Sequence, residues 1–315
     1  MKIAFHTNQI CLRGTEIALY DYAYYNREIL GNESIIISDK NANLDAYDKF
    51  KKEFDVLLYD KFSEVTNFIS ENNVDVFYAQ KAGFNDGKLV PNVKNVVHAV
   101  FQYREPHGDK YAYISEWLSK VMSGGKLPSV PYIVDILKYD HNDNLRGELN
   151  IPSDATVFGY YGGSDSFNIP FVKNTIINIA KANEKIFFIF MNVDSFIKDQ
   201  SNIIFLPGSY EFYRKISFIN TCDGCLHARA KGESFGLTIA EFSIKNKPVI
   251  ISTSSVDSAH IEMLGDKCIK YQDPNSLTYA ITNFNLIKNS KPDWNAYMEY
   301  TPDKVMLQFK KIFLT

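Results

Sequence analysis

Cysteine is scarce in this chain of 315 residues: Cys11, Cys222, Cys225 and Cys268 are too few for a disulfide framework. Cys222 and Cys225 form one C-x-x-C, but a zinc site needs a second ligand pair at suitable spacing and the sequence offers none, so buried structural thiols are expected. No apolar run approaches the roughly 20 residues that cross a bilayer. The opening MKIAFHTN reads as a first strand and not as a signal peptide, which together with the reduced thiols suits a cytoplasmic setting. A basic surplus is missing too: the net charge is −3, so nucleic acid is not an expected partner. No Asp-x-Asp triplet occurs anywhere.

What is present is a globular composition, 45% hydrophobic and 14% aromatic, long enough for two domains of ordinary size. Short apolar runs at Lys2–His6, Ser34–Ser38, Val56–Tyr59, Val74–Tyr78 and Val96–Phe101 read as strands, with helices near Glu16–Leu30, Lys61–Asn72 and Ser115–Met122. The same alternation returns with strands at Val157–Tyr161, Ile186–Val193, Ile203–Leu206, Gly224–His227, Val249–Ser252 and Cys268–Tyr271, and helical segments at Val172–Lys181, Glu211–Ile219, His260–Leu264 and Leu277–Ile287. Alternation of this kind predicts parallel sheets covered on both faces, with ligands beyond the C-terminal strand ends. Prolines 128, 131 and 152 and a polar stretch mark a change of character, giving expected boundaries at 1–135, a connection at 136–150, a second domain at 151–292 and a terminal helix at 293–315.

One stretch carries the chemistry: His227 to Ile250, HARAKGESFGLTIAEFSIKNKPVI. Leu237, Ile239, Ala240, Phe242 and Ile244, with no internal Pro or Gly, predict a helix that stops near Asn246 before Pro248. The Gly232-Glu233-Ser234-Phe235-Gly236 turn therefore lies at a helix N-terminus, where unpaired N–H groups and the helix dipole favour phosphate. Arg229 and Lys231 add positive charge just upstream. An ionised Glu accepts hydrogen bonds from two neighbouring sugar hydroxyls, so Glu233 and Glu241 beside an anion site suit a hydroxyl-rich ligand.

Glu233 and Glu241 with seven residues between them, Phe235-Gly236-Leu237 inside and Pro248-Val249-Ile250 after, resemble the E-x7-E signature of retaining nucleotide-sugar glycosyltransferases with the GT-B fold. The resemblance implies an α/β chain of two Rossmann-like domains with a cleft between them and a C-terminal helix crossing back to the first. It implies transfer of a hexose-type sugar from a UDP- or GDP-sugar to an acceptor hydroxyl, with retention, in glycan or glycoconjugate synthesis. By position, Glu233 would hold the donor sugar and Glu241 the ribose, while Ser234, Phe235, Gly236 and Leu237 would line the sugar and diphosphate. The donor is then the expected partner, the acceptor is left open, and no cofactor is implied. Paired aspartates bind metal in glycosyltransferases of the other major fold; their absence favours a metal-independent site.

Further residues follow from the same resemblance. Gly14 lies in the turn after the first strand, which would face the donor, although Thr15 also suits an N-cap. His98, at a strand end, would stand beside the reacting sugar, with His107 in the loop that follows. Gly162 and Gly163 after the strand Val157–Tyr161 would admit phosphate to the main chain, and Gly208 lies where the base-binding loop is expected. His260 reads as structural. The chain departs from the family at one point: Tyr160 follows Gly159 where Gly-Arg is usual, and no Lys or Arg appears before Lys173. Arg229 and Lys231 are the expected replacements. Two alternatives stay open, a nucleotide-sugar-binding protein without turnover and a GT-B sugar-nucleotide epimerase.

Overall fold

A computed structural model describes all 315 residues, which form two compact units. The first is built from residues 1–133 together with 299–315, the second from 134–298.

In the first unit, strands β1 (Lys2–Thr7), β2 (Glu33–Asp39), β3 (Asp55–Tyr59), β4 (Val76–Lys81), β5 (Lys94–Ala99) and β6 (Lys110–Tyr113) alternate for the most part with helices α1 (Gly14–Glu28), α2 (Tyr47–Glu53), α3 (Phe62–Glu71) and α4 (Glu116–Ser123). The strands form one all-parallel sheet in the order β3-β2-β1-β4-β5-β6. All six residues of β4, VFYAQK, are buried, as expected of a parallel strand covered on both faces. Successive side chains point to opposite faces, so Ala4 and Phe77 join Val65 and Ile69 of α3 in one core layer while Phe5 and Tyr78 face the other way.

In the second unit, β7 (Thr156–Tyr161), α5 (Pro170–Ala182), β8 (Ile186–Met191), β9 (Ile203–Leu206), α6 (Phe212–Thr221), β10 (Gly224–Leu226), β11 (Gly232–Glu233), α7 (Leu237–Ile244), β12 (Val249–Ser252), β13 (Asp257–Ser258), α8 (Ala259–Leu264), β14 (Ile269–Tyr271), α9 (Pro274–Thr282) and α10 (Phe284–Lys288) follow in order. The main sheet is again all-parallel, β14-β12-β10-β7-β8-β9. From β7 the chain runs through β8 and β9 on one side and β10, β12 and β14 on the other. The topological switch point, where ligands of open α/β sheets bind, therefore lies at the carboxyl ends of β7 and β10. A separate two-stranded ribbon joins β11 to β13.

Several expectations change in detail. The segment 293–315 is helical only as α11 (Pro302–Phe309) and a terminal turn Lys310–Leu314, since Pro302 cannot continue a preceding helix and instead starts one. The helix expected over Leu277–Ile287 divides at Asn283 into α9 and α10. Strand β6, helix α2 and the β11–β13 ribbon were not legible in the apolar pattern. No helix is long and apolar enough to cross a membrane. All four cysteines are free thiols, and burial pushes the thiols of Cys222 and Cys225 up.

Candidate functional site

The two glutamates of the motif sit at the switch-point end of the second unit. Glu233 closes β11, six residues past His227, which follows β10. Its Oε2 accepts a hydrogen bond from Arg229 Nη1 at 2.9 Å, and its Oε1 lies 3.2 Å from His227 Nε2. Burial alone would raise this carboxyl, but the bond to His227 and the charge of Arg229 outweigh it and hold the group below the usual range. Glu233 is thus kept as a carboxylate, with both oxygens already oriented.

Arg229 departs from expectation. It was assigned to a diphosphate, yet its guanidinium is committed to Glu233 and to the Gly232 carbonyl, 3.3 Å away. Its charge neutralises the neighbouring acid first. Lys231 is exposed in the same turn, and its carbonyl accepts the Asp257 N–H at 2.6 Å as the ribbon begins.

Gly232 has φ of +75°, and a Cβ there would lie 2.0 Å from the Asp257 carbonyl oxygen, so glycine is required for the ribbon to close. Gly236, at φ +88°, is the N-cap of α7, and no side chain caps this end of the helix. The first-turn amides, beginning at Leu237, thus stand at the end of the sheet where anions are favoured. Ser234 is half-buried, but Phe235 is not available to a ligand: it is 1% exposed and packs against Tyr297, whose hydroxyl donates to the Phe235 carbonyl at 3.4 Å. The aromatic ring anchors the turn by burial, which corrects its expected place among ligand contacts.

Glu241, about one turn along α7, is buried. Its Oε1 accepts from Lys215 Nζ at 2.7 Å and its Oε2 from the Tyr161 hydroxyl. Tyr161 ends β7, and its carbonyl accepts from Thr238 Oγ1 at 2.8 Å, tying the strand end to α7. Gly162 and Gly163 follow directly. The Gly162 carbonyl is held by Asn192 Nδ2 at 2.6 Å and that of Gly163 by Ser166, whose N–H and hydroxyl donate at 2.9 and 2.5 Å. Tyr160, where a cation was looked for, is buried, donates to Ser166 Oγ at 3.1 Å and packs on His227. Gly208 lies between β9 and α6 at the same end of the sheet.

Two histidines line the core beneath Glu233. His227 and His260 are fully buried with ring centroids 5.0 Å apart, and burial, aided by the His227 ring, lowers His260 to about 3. Both of its ring nitrogens are buried without a side-chain or backbone hydrogen-bond partner.

In the first unit, Gly14 is the first residue of α1, whose N-cap is Arg13 and not Thr15; the Thr15 carbonyl instead accepts from Gln80 Nε2 at 2.7 Å. His98 is corrected outright. It is fully buried, its Nδ1 lies 2.6 Å from the Tyr78 hydroxyl and its Nε2 2.9 Å from the Val130 carbonyl, so neither nitrogen is presented to a ligand. Burial lowers it to about 3. His107 turns its Nδ1 to the Glu105 carbonyl at 2.7 Å.

Sequence reasoning missed Lys215, Tyr161 and His227. A signal existed for the first: Lys215 is in helical register with Phe218, Ile219 and Cys222, and a lysine on the apolar face of a helix demands a buried anion.

No family model matches the sequence, and no curated protein sequence matches it. Solved structures do. Anabaena Alr3699/HepE in complex with UDP and glucose is 14% identical, with TM-score 0.76 over 99% of this chain and 98% of that one. A glycosyltransferase from Rickettsia africae ESF-5 is 12% identical, with TM-score 0.69 over 99% and 97%. S. aureus MnaA, solved with UDP, is 10% identical, with TM-score 0.68 over 98% and 94%. These similarities run through both units, and the architecture is that of the GT-B fold, two Rossmann-like halves in one chain.

Proposed function

We propose that this chain is a retaining, metal-independent glycosyltransferase that moves a hexose-type sugar from a nucleoside-diphosphate sugar to an acceptor hydroxyl. The observation that carries the reading is the placement of Glu233 and Glu241: two preoriented carboxylates at the switch-point end of one sheet, on either side of a glycine-capped helix N-terminus. UDP is the nucleotide bound in two of the similar structures, which favours a UDP-sugar over a GDP-sugar here.

As the bond from sugar to diphosphate lengthens, negative charge grows on the phosphate and positive charge on the ring. The amides of Gly162, Gly163 and the α7 first turn, with the charge of Lys231, meet the first. Glu233 orients the ring through its hydroxyls, and Arg229 keeps that acid ionised while it does so. Glu241 holds the ribose. The departing phosphate oxygen takes the acceptor proton, so no separate base is needed. His98 has no part in this reading.

Calorimetry with UDP, alongside transfer and donor-hydrolysis assays with UDP-glucose, tests the assignment. Glu241→Ala is expected to weaken UDP binding, and Glu233→Ala to lower turnover more than affinity. Unchanged UDP affinity in Glu241→Ala would refute it. A second reading, sugar-nucleotide epimerisation, is favoured by one similar structure, a putative UDP-N-acetylglucosamine 2-epimerase from Listeria monocytogenes. Incubation with UDP-N-acetylglucosamine and no acceptor separates the two, because only an epimerase returns an isomeric sugar nucleotide.

A further inference from the structure

The Lys215–Glu241 pair is among the least exposed ion pairs in the protein, with side chains 9% and 6% exposed. It joins α6 to α7, and the Tyr161 hydroxyl adds a third element, the end of β7. The Lys215 ammonium also stands 5.4 Å from the centre of the Phe212 ring and 5.8 Å from that of Tyr161. Such a pair is a poor device for stability alone. Desolvating two charges costs about as much as their attraction returns, and apolar replacements of equal volume are often neutral or stabilising. Its location at the ligand-bearing end of the sheet offers another account.

A carboxylate has four lone-pair positions, two on each oxygen. Lys215 takes one on Oε1 and Tyr161 one on Oε2, which leaves one on each oxygen. One acceptor position per oxygen on a carboxylate that cannot rotate is the pattern matched by two adjacent hydroxyls. We propose that Lys215 and Tyr161 are positioning residues that lock Glu241 before ligand arrives, and that this lock makes the site select ribonucleotides over 2′-deoxyribonucleotides. The inference rests on the assignment of Glu241 to the ribose given above. Neither residue is assigned to the reacting atoms.

The test is calorimetric titration of UDP and of 2′-deoxy-UDP into the wild type, Lys215→Met, Lys215→Arg and Tyr161→Phe. A hydrogen bond to a charged group predicts that the wild type prefers UDP by about tenfold or more, and that Lys215→Met reduces the preference to within about twofold. Tyr161→Phe, which deletes only a hydroxyl, is expected to narrow it as well, and Lys215→Arg to restore most of it. A purely structural role would weaken both nucleotides by one common factor and leave their ratio intact. If Lys215→Met fails to fold, Tyr161→Phe decides. A wild type that binds both nucleotides without preference, or variants that keep the wild-type ratio, would overturn the proposal alone. A wild type that binds neither would overturn the nucleotide-sugar reading beneath it.

Discussion

Arg229 and Glu233, four residues apart, are joined across the turn that leads into β11 by a 2.9 Å bond between guanidinium and carboxylate, with side chains only 25% and 18% exposed. Removing one partner leaves the other charge poorly solvated. Arg229→Ala is therefore expected to destabilise the protein by about 2–3 kcal/mol, the low end for a buried pair because some water reaches it. Adding Glu233→Gln to that variant should recover a large part of the loss, since the orphaned charge is then gone. Urea midpoints of the two single variants and the double variant give the coupling directly. Strictly additive losses would mean the pair is not coupled.

Gly232 supplies a second prediction. A methyl group at that position would collide with the Asp257 carbonyl at 2.0 Å in a backbone already at φ +75°. Gly232→Ala must open the ribbon, at a cost of about 3 kcal/mol or more, and carry Glu233 out of position. A Cβ on Gly147 would meet no atom within 4 Å, and its φ lies outside the left-handed region, so Gly147→Ala is the control, expected to be neutral or slightly stabilising. Thermal melts of the two variants, read beside UDP-glucose turnover, check both halves of the claim.

The contrast between these two glycines shows what a sequence can and cannot disclose. The paired sheets were legible because parallel strands buried on both faces are continuous apolar runs, as in IFFIFM of β8. Helix α7 was legible because Gly236 and Asn246 bracket a largely apolar segment with no internal Pro or Gly. The ribbon was not, because its two strands have two residues each and no pattern can be read from two residues. Strand β6, KYAY, is too short for a periodic signal, and α2 has a single apolar residue, Phe50, on its buried side. At the candidate site, the residue types with special chemistry, Glu233, Glu241 and the glycines, are visible in the sequence, but the partners they take in the fold are not. Arg229 was assigned to phosphate because sequence distance cannot tell a nearby acid from a ligand. His98 was placed at a ligand because its strand end is right, while the Tyr78 and Val130 groups that occupy it come from 20 and 32 residues away.

Buried titratable groups fix the pH dependence. His6, His98 and His260 are each lowered to about 3, chiefly by burial, with Lys88 and Lys81 adding to the effect at His6 and His227 adding at His260. Between pH 6.5 and 3 the unfolded chain binds these protons and the native one does not, so their contribution is full above pH 6.5 and falls as the solution is acidified. Glu16 works in the opposite sense. Burial pushes it up to about 7, so its contribution is full below its ordinary value of 4.5 and is lost as pH rises through 7. The histidines outnumber it, and stability is expected to rise from pH 5 to pH 6.5. Glu16→Gln should raise stability at pH 8 by on the order of 2 kcal/mol and have little effect at pH 4. Urea unfolding at the two pH values gives the comparison, and an equal effect at both would rule out titration of Glu16 as the cause.

The C-terminal segment provides the last prediction. Phe309 on α11 and Phe313 in the turn after it are fully buried in the first unit. The Phe309 ring lies 5.3 Å from Tyr78, 5.4 Å from Tyr22 and 6.3 Å from Phe5, and Phe313 lies 5.1 Å from His98. Residues 299–315 thus complete the face of the sheet opposite α3, and the fold of residues 1–133 depends on a segment distant from it in sequence. Deleting a buried aromatic ring costs about 3–5 kcal/mol when the cavity cannot collapse, and a ring wedged among four others, Phe5, Tyr22, Tyr78 and Phe313, has little room to be replaced. Phe309→Ala is expected to lose that amount, whereas Leu307→Ala, at a position 63% exposed on the same helix, should change stability by less than about 0.5 kcal/mol. Amide hydrogen exchange locates the effect. Faster exchange in β1 and β4 with unchanged exchange in β7 and β8 is the expected pattern, because none of the rings that touch Phe309 belongs to the second unit. Equal acceleration in both sheets would instead mean that the two units unfold as one.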